Sequence, residues 1–314
     1  MTKARSQFSL LLIGVAVLLV LPIVSGNYTL RLATIMMMYG TLAMAWNFIG
    51  GFTGYPSFGI AAFFGLGAYA GAVVQARGIP VVLAWAFAVV IGSLFAYALG
   101  LILLRLRGHA FAIATLVIAE VLRELTNGMT DLTGGGMGLN LPFFGWGPDA
   151  LGRFFFYAMF ALAAIALAAT YYVANSRLGF GLNCIKQNED AADIVGINTT
   201  RYKIIAFTLS GGFAAAAGGL YASWTGYIEP SDAYDVLFSI KPILMVLLGG
   251  MGTVFGPMIG AVIFLVLDEI VWRNFLQLHT GILGLLIVIL ILFLPAGVLS
   301  FDWRTLLKKK ASAT

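Results

Sequence analysis

Val81-Val82-Leu83-Ala84-Trp85-Ala86-Phe87-Ala88-Val89-Val90-Ile91-Gly92-Ser93-Leu94-Phe95-Ala96-Tyr97-Ala98-Leu99-Gly100-Leu101-Ile102-Leu103-Leu104 runs for twenty-four residues without a charged side chain. A helix needs about 20 apolar residues to cross a hydrocarbon core about 30 Å thick. A strand of a membrane barrel would alternate polar and apolar residues instead. The stretch therefore reads as a transmembrane helix, and the rest of the chain agrees with it. Of 314 residues, 61% are hydrophobic and 10% charged, against about 45–50% and about 25% in soluble proteins. Those proportions exclude a soluble enzyme, a nucleic-acid binder and a disordered chain. The expected fold class is all-α, a polytopic membrane helical bundle forming a single domain over 1–314.

The same ruler gives about ten spans, at residues 8–25, 30–50, 57–75, 81–104, 109–127, 154–174, 204–226, 237–251, 257–272 and 280–296. The eighth and ninth are short and meet at Gly249-Gly250-Met251-Gly252. Eight spans with two re-entrant segments fit the pattern almost as well. The apolar run 8–24, behind Lys3 and Arg5, exceeds the about 7–15 residues of a signal-peptide core. It is expected to be a retained first span, although Ser25-Gly26 offers a cleavage site. An even span count puts both termini on one side. With both termini cytoplasmic, Lys3, Arg5, Arg105, Arg107, Arg177, Lys186, Arg201, Lys203, Arg304, Lys308, Lys309 and Lys310 lie inside, 12 of the 18 basic residues. That is the positive-inside pattern of a multi-pass membrane protein. Arg31, Arg77, Arg123, Arg153, Lys241 and Arg273 remain, with at least Lys241 inside a span.

Two connections are long. The first, 128–153, is extracytoplasmic, with Thr133-Gly134-Gly135 followed by Leu141-Pro142-Phe143-Phe144-Gly145-Trp146. It is either a functional loop or a tether with an interfacial aromatic anchor. The second, 175–203, is cytoplasmic and polar. Within it Asn188 is placed to cap a short helix over 188–195, Glu189 and Asp190 suit the positive helix end, and Gly196 stops it. Ala191, Ala192 and Val195 form a small face suited to a shallow groove on a cytoplasmic partner.

No catalytic constellation is present. His109 and His279 are isolated, lone Cys184 cannot form an intrachain disulfide, and no metal-ligand spacing occurs. Without a G-x-x-x-x-G-K-[ST] segment, any ATP-driven work needs another chain. Intramembrane charges are functional candidates. Glu120 is one, in a cluster with Arg123 and Glu124, and snorkelling is its simpler reading. No carboxylate sits at mid-depth, which argues against a proton-driven carrier. Small-x-x-x-small tracks occur at Gly211/Ala215/Gly219, Ala61/Gly65 and Gly67/Gly71, where close helix packing is expected. Gly50-Gly51-Phe52-Thr53-Gly54-Tyr55-Pro56-Ser57-Phe58-Gly59 and Gly249-Gly250-Met251-Gly252-Thr253-Val254-Phe255-Gly256-Pro257 read as corresponding breaks in an internal duplication. Broken helices need protein or watery neighbours in a membrane. Thr53, Ser57 and Thr253 are therefore expected near a translocation path.

Several segments carry a resemblance. Thr53-Gly54-Tyr55-Pro56-Ser57-Phe58-Gly59-Ile60-Ala61-Ala62-Phe63-Phe64-Gly65-Leu66-Gly67-Ala68-Tyr69 resembles the T-G-x-x-S-x-G-H-A-A-F-F-G-x-G-A-Y signature of branched-chain amino-acid ABC importer permeases of the LivM type. Phe111-Ala112-Ile113-Ala114-Thr115-Leu116 with Glu120, the outer-loop Thr133-Gly134-Gly135, and Gly249-Gly250-Met251-Gly252-Thr253 with Gly256-Pro257 are similar to further motifs of that family. So is Glu189-Asp190-Ala191-Ala192 followed by Gly196-Ile197-Asn198-Thr199-Thr200-Arg201-Tyr202-Lys203. The matches run in order from about 40 to 300. The resemblance implies an ABC importer permease fold and half of a translocation pathway. It implies a LivH-type second permease, two cytoplasmic ATPases holding ATP and Mg, and an extracytoplasmic solute-binding protein. No cofactor is expected in this chain. The implied ATPase-coupling segment is Glu189, Asp190, Ala191, Ala192, Val195, Gly196, Ile197 and Asn198. Ile60, Pro56 and Gly136-Met137 depart from the family pattern. If they touch solute, the cargo is a related small solute (urea, an amide or an aromatic acid) instead of a branched-chain amino acid. The alternative is a stand-alone secondary transporter or channel.

Overall fold

The computed structural model describes residues 22, 26–142, 144–275, 278–293 and 297–299. Apart from Pro22, the expected first span 8–25 lies outside the described residues, as do Lys3, Arg5, Phe143, Arg304 and Lys308, Lys309 and Lys310.

The fold is mostly helical. In chain order it contains α1 (Asn27–Trp46), prolonged by a π-helical turn Asn47–Gly51, then α2 (Ile60–Ala76), α3 (Val81–Leu103), α4 (His109–Gly128) and α5 (Pro148–Ala174). Then follow α6 (Arg177–Gln187), α7 (Glu189–Ile194), α8 (Thr199–Thr225), α9 (Leu237–Gly249), α10 (Gly256–Asn274) and α11 (His279–Phe293). Among the described residues, four helices are long and apolar enough to cross a membrane: Asn27–Gly51, Val81–Leu103, Pro148–Ala174 and Thr199–Thr225. The hydropathy reading expects ten; the first of these, apart from Pro22, and the end of the tenth lie outside the described residues, and for four others the causes are local. Gly249 ends α9 after 13 residues. The extended glycine segment shortens α2 to 17. Glu120, Arg123 and Glu124 interrupt the apolar run of α4, as Asp268, Glu269 and Arg273 do in α10.

The bundle has two ends. At one, β1 (Leu139–Asn140) pairs antiparallel with β2 (Tyr227–Ile228), and Asn27 Nδ2 donates to Asp149 Oδ1 at 2.7 Å. At the other lie α6, α7 and the turn after α3, where Arg107 Nη1 meets Asp190 Oδ1 at 2.9 Å. The long helices run alternately between these ends.

Helix α8 is the axis of packing, and small residues let its neighbours approach. A Cβ at Gly67 of α2 would lie 2.2 Å from the Ala215 carbonyl oxygen, and one at Gly92 of α3 2.1 Å from Ala215 Cβ. One at Gly218 would lie 1.9 Å from the Phe64 carbonyl oxygen. The Gly211/Ala215/Gly219 and Gly67/Gly71 tracks are thus where α2 and α3 cross α8, as their spacing predicts, whereas Gly65 of the Ala61/Gly65 track faces the Tyr234 ring.

Candidate functional site

The polar stretch after α5 is more ordered than its composition suggests. It opens with α6, which the sequence reading leaves as loop. Ser176 Oγ caps it, accepting from the Gly179 N–H, and Leu182 and Ile185 are buried with Leu178 beside them. The spacing i, i+4, i+7 of those three residues is the signal that was there to be read. Helix α7 follows within a residue of its expected bounds. Asn188 Oδ1 accepts from the Ala191 N–H at 3.0 Å, and Gly196 ends it at φ +88°. Asn198 Oδ1 then accepts from the Arg201 N–H at 3.0 Å and starts α8.

The expected small docking face needs correction. Ala192 is 3% exposed and packs against the chain's own core. Glu189, three residues earlier, lies on the same face of the helix. Ala191 and Val195 of the expected face are exposed, Val195 at 74%, and Ile194 is exposed beside them at 86%. Ala192 is where α7 rests on the body, so bulk there strains this chain and not a partner's groove.

Glu189 anchors that face. Lys203 Nζ lies 2.6 Å from Glu189 Oε1 and 3.0 Å from the Tyr55 hydroxyl, and it donates to the Leu104 carbonyl at 3.2 Å. Tyr55 donates to Glu189 Oε2, and the Lys203 ammonium sits 4.6 Å from the Tyr55 ring centroid. Burial alone would raise the Glu189 carboxyl. Hydrogen bonds from Lys203 and Tyr55, with the Lys203 and Arg107 charges, outweigh it and hold the group below the usual carboxylate range. Burial, reinforced by Glu189, pushes the Tyr55 phenol up. One small helix is thereby tied to the α1–α2 linker, the α3–α4 turn and α8. A cleft of about 280 Å³ opens between them, lined by Thr53, Tyr55, Pro56, Arg107, Lys186 and Glu189 among others.

Helix α6 extends the network to both glycine breaks. Lys186 Nζ donates to the Gly51 carbonyl at 2.8 Å, and burial lowers its ammonium pKa. Asn47 Oδ1 accepts from the Gly252 N–H at 2.9 Å, and Asn47 Nδ2 donates to the Thr253 carbonyl at 3.0 Å. The two breaks lie side by side, closely enough that a Cβ on Gly51 would be 2.9 Å from Gly252 N. The freed backbone groups at Gly51, Gly252 and Thr253 are satisfied by protein, as a membrane requires.

The hydroxyl residues of these breaks mainly shape backbone. Thr53 and Ser57 are buried. Thr53 donates to the Ile49 carbonyl, and Ser57 Oγ accepts from the Gly59 N–H at 3.2 Å. Thr53 also lines the cleft. Thr253 Oγ1 donates to the Gly250 carbonyl at 2.8 Å and accepts from the Gly256 N–H at 3.0 Å. At the opposite end, Thr133 Oγ1 bonds the Thr126 and Met129 carbonyls, and Gly134 and Gly135 turn at positive φ. Glu120 is exposed on α4 and paired with Arg123, which also reaches Glu124 at 3.3 Å. Of the three departures from the family pattern, Ile60 is fully buried in the core, so it does not speak to the cargo. Pro56 lines the cleft, and Met137 is 88% exposed at the strand end. Among the described residues no group of three His, Cys, Asp or Glu side chains is placed to hold a metal.

An apolar helical body with a polar helix pinned across one end is the build of a multi-pass helical membrane protein. More particularly, the chain belongs to the family described as branched-chain amino acid transport system / permease component, whose model matches residues 28–294. It is 29% identical to the high-affinity branched-chain amino acid transport system permease protein LivM of Salmonella typhimurium, over 99% of this chain and 78% of the relative. It is 28% identical to LivH of the same organism over 42% of this chain and 43% of that protein. It is 32% identical to the ribose import permease protein RbsC of Escherichia coli, over 63% of each chain. No solved structure matches it significantly.

Proposed function

We propose that this chain is one of two permease subunits of an ATP-driven importer for a branched-chain amino acid or a related small solute. A LivH-type chain is the second permease, separate cytoplasmic ATPases supply the energy, and an extracytoplasmic binding protein delivers the solute. The observation that carries this reading is the anchoring of α7. A six-residue helix is held by a buried ion pair while Ile194 and Val195 project outward. A loop that only set topology would need no such anchor. The α7 end is cytoplasmic in this reading, and the strand end is extracytoplasmic. An ATPase that seats Ile194 and Val195 moves α7. Lys203 and Lys186 pass that motion to α8 and to the paired glycine breaks.

Two experiments test it. Ile194→Asp with Val195→Asp should leave membrane level and pairing with the second permease intact. Copurification of the ATPases and solute uptake should fall together, and unchanged uptake at normal expression would place the coupling surface elsewhere. A cysteine replacing Met137 should react with an impermeant thiol reagent from the extracytoplasmic side. Reaction only from the cytoplasm would reverse the topology.

A further inference from the structure

Helix α4 runs from the turn beside α7 to the strand end, yet it rests on the bundle along a single stripe. Phe111, Thr115, Ala119, Leu122 and Thr126 are its buried residues, a spacing that marks one helical face. Directly opposite run Ile113, Val117, Glu120 and Glu124, at i, i+4, i+7 and i+11, and all four are exposed. Glu120 stands about 16 Å along the axis from His109 and about 12 Å from Gly128. It is therefore at mid-depth, which corrects the expectation that no carboxylate lies there. Helical side chains lean toward the N-terminus of their helix, here the α7 end. Glu120 and Glu124 thus lean away from the nearer surface, and snorkelling does not relieve them.

Arg123 pairs with Glu120 and reaches Glu124 Oε1 at 3.3 Å. Two carboxylates against one guanidinium leave this group one negative charge in excess. Arg123 Nε has no hydrogen-bond partner among the described residues. Lipid does not suit such a face, because a charge in the hydrocarbon region is costly. The contrast is α3, whose exposed Val82, Leu83, Val90, Leu94 and Ile102 are all apolar. Water alone suits it no better, since Ile113, Val117, Val121 and Leu125 flank the carboxylates and are exposed. A protein helix can cover both kinds of group, burying the apolar ones and pairing the charges. A second copy of this chain is a poor occupant. A two-fold contact sets a patch against itself, and here it would bring two negative excesses to one depth with no cation to spare.

We propose that the outward face of α4 is the seam with the second permease, that this permease is a different chain, and that it presents a cationic side chain at the depth of Glu120. The proposal rests on the importer reading and deepens it, by placing the permease contact on named residues and by requiring a heterodimer.

The test uses the full chain coexpressed with the LivH-type permease of the same genome. Val117 is replaced by the photoreactive p-benzoylphenylalanine, membranes are irradiated, and adducts are identified by mass. The same probe at Val90 of α3 is the reference. Val117 should yield an adduct with the LivH-type chain, and Val90 should yield lipid adducts only. Glu120→Lys sets a like charge against the partner's cation. It should lower the LivH-type chain copurified per amount of this chain at least about tenfold. A wild-type elution profile for the variant purified alone would show that it is folded, and the Val117 adduct does not depend on that variant. Lipid adducts alone at Val117, an adduct between two copies of this chain, or unchanged copurification with Glu120→Lys would overturn the seam. Where the wild type still copurifies the LivH-type chain, those results leave the importer reading standing. If the wild type copurifies no second permease, the importer reading falls and the seam falls with it.

Discussion

Gly218→Val should leave little folded protein in the membrane. A Cβ at Gly218 would sit 1.9 Å from the Phe64 carbonyl oxygen and 3.0 Å from the Ala68 nitrogen. Both are backbone atoms of α2, so no side-chain rotation relieves the clash. Helices α2 and α8 must separate, and the packing that their approach permits is lost, including the edge contact of Phe63 with Phe207 at 5.2 Å between centroids. Overpacking a core costs about 1–3 kcal/mol when side chains can adjust, and two opposed backbones put this site at the upper end or beyond. Gly67→Val should behave alike, because its Cβ meets the Ala215 carbonyl from the other side of the same crossing. Gly128→Val is the control, with nothing within 4 Å of its Cβ. Extracted monodisperse protein and its thermal midpoint are the measurements. Wild-type yield and midpoint for Gly218→Val would mean that α2 and α8 do not cross there.

That crossing was legible in the sequence because spacing alone encodes it: small residues four apart on two apolar helices have few other uses. The same holds for α3, whose uninterrupted apolar run needs no tertiary context, and for α7, whose Asn188 cap and Gly196 stop are local. Helix α6 was partly legible, but Arg177, Asn183, Lys186 and Gln187 masked its three buried apolar residues. The orientation of α7 was not legible. Ala192 and Ala191 are chemically identical, and only the partners of Glu189 decide which one faces the body. Those partners, Tyr55 and Lys203, stand 134 and 14 residues away. A buried lysine also reads as a topology-setting surface charge until its acceptors are seen.

Lys203→Met should release α7 and uncouple transport while leaving the bundle in place. Lys203 is 3% exposed and its partner Glu189 14% exposed. Removing one member of a buried pair costs about 3–5 kcal/mol, because the other charge stays buried. The lower end applies here, since Glu189 keeps some solvent and Arg107 Nε stands 3.8 Å from its Oε2. About 3 kcal/mol corresponds to roughly a hundredfold faster local opening, to be read as hydrogen exchange at the Ala192 amide, which donates to the Asn188 carbonyl at 3.0 Å. In the proposed importer, solute uptake should fall with it, while the amount of protein in the membrane should not. Acid gives an independent check. The Glu189 carboxyl is held below its ordinary value, so its contribution is complete at neutral pH and is lost as pH falls through that lowered value. Without Lys203 the burial that opposes ionisation remains, so the loss should begin at a higher pH than in the wild type. Glu189→Gln should remove this acid transition altogether, leaving Lys203 as the unpaired member and α7 loose at every pH. If Lys203→Met changes neither the exchange of α7 nor its acid profile, the helix is held by Arg107 and Ala192 alone, and the path from α7 into α8 through Lys203 does not carry the coupling.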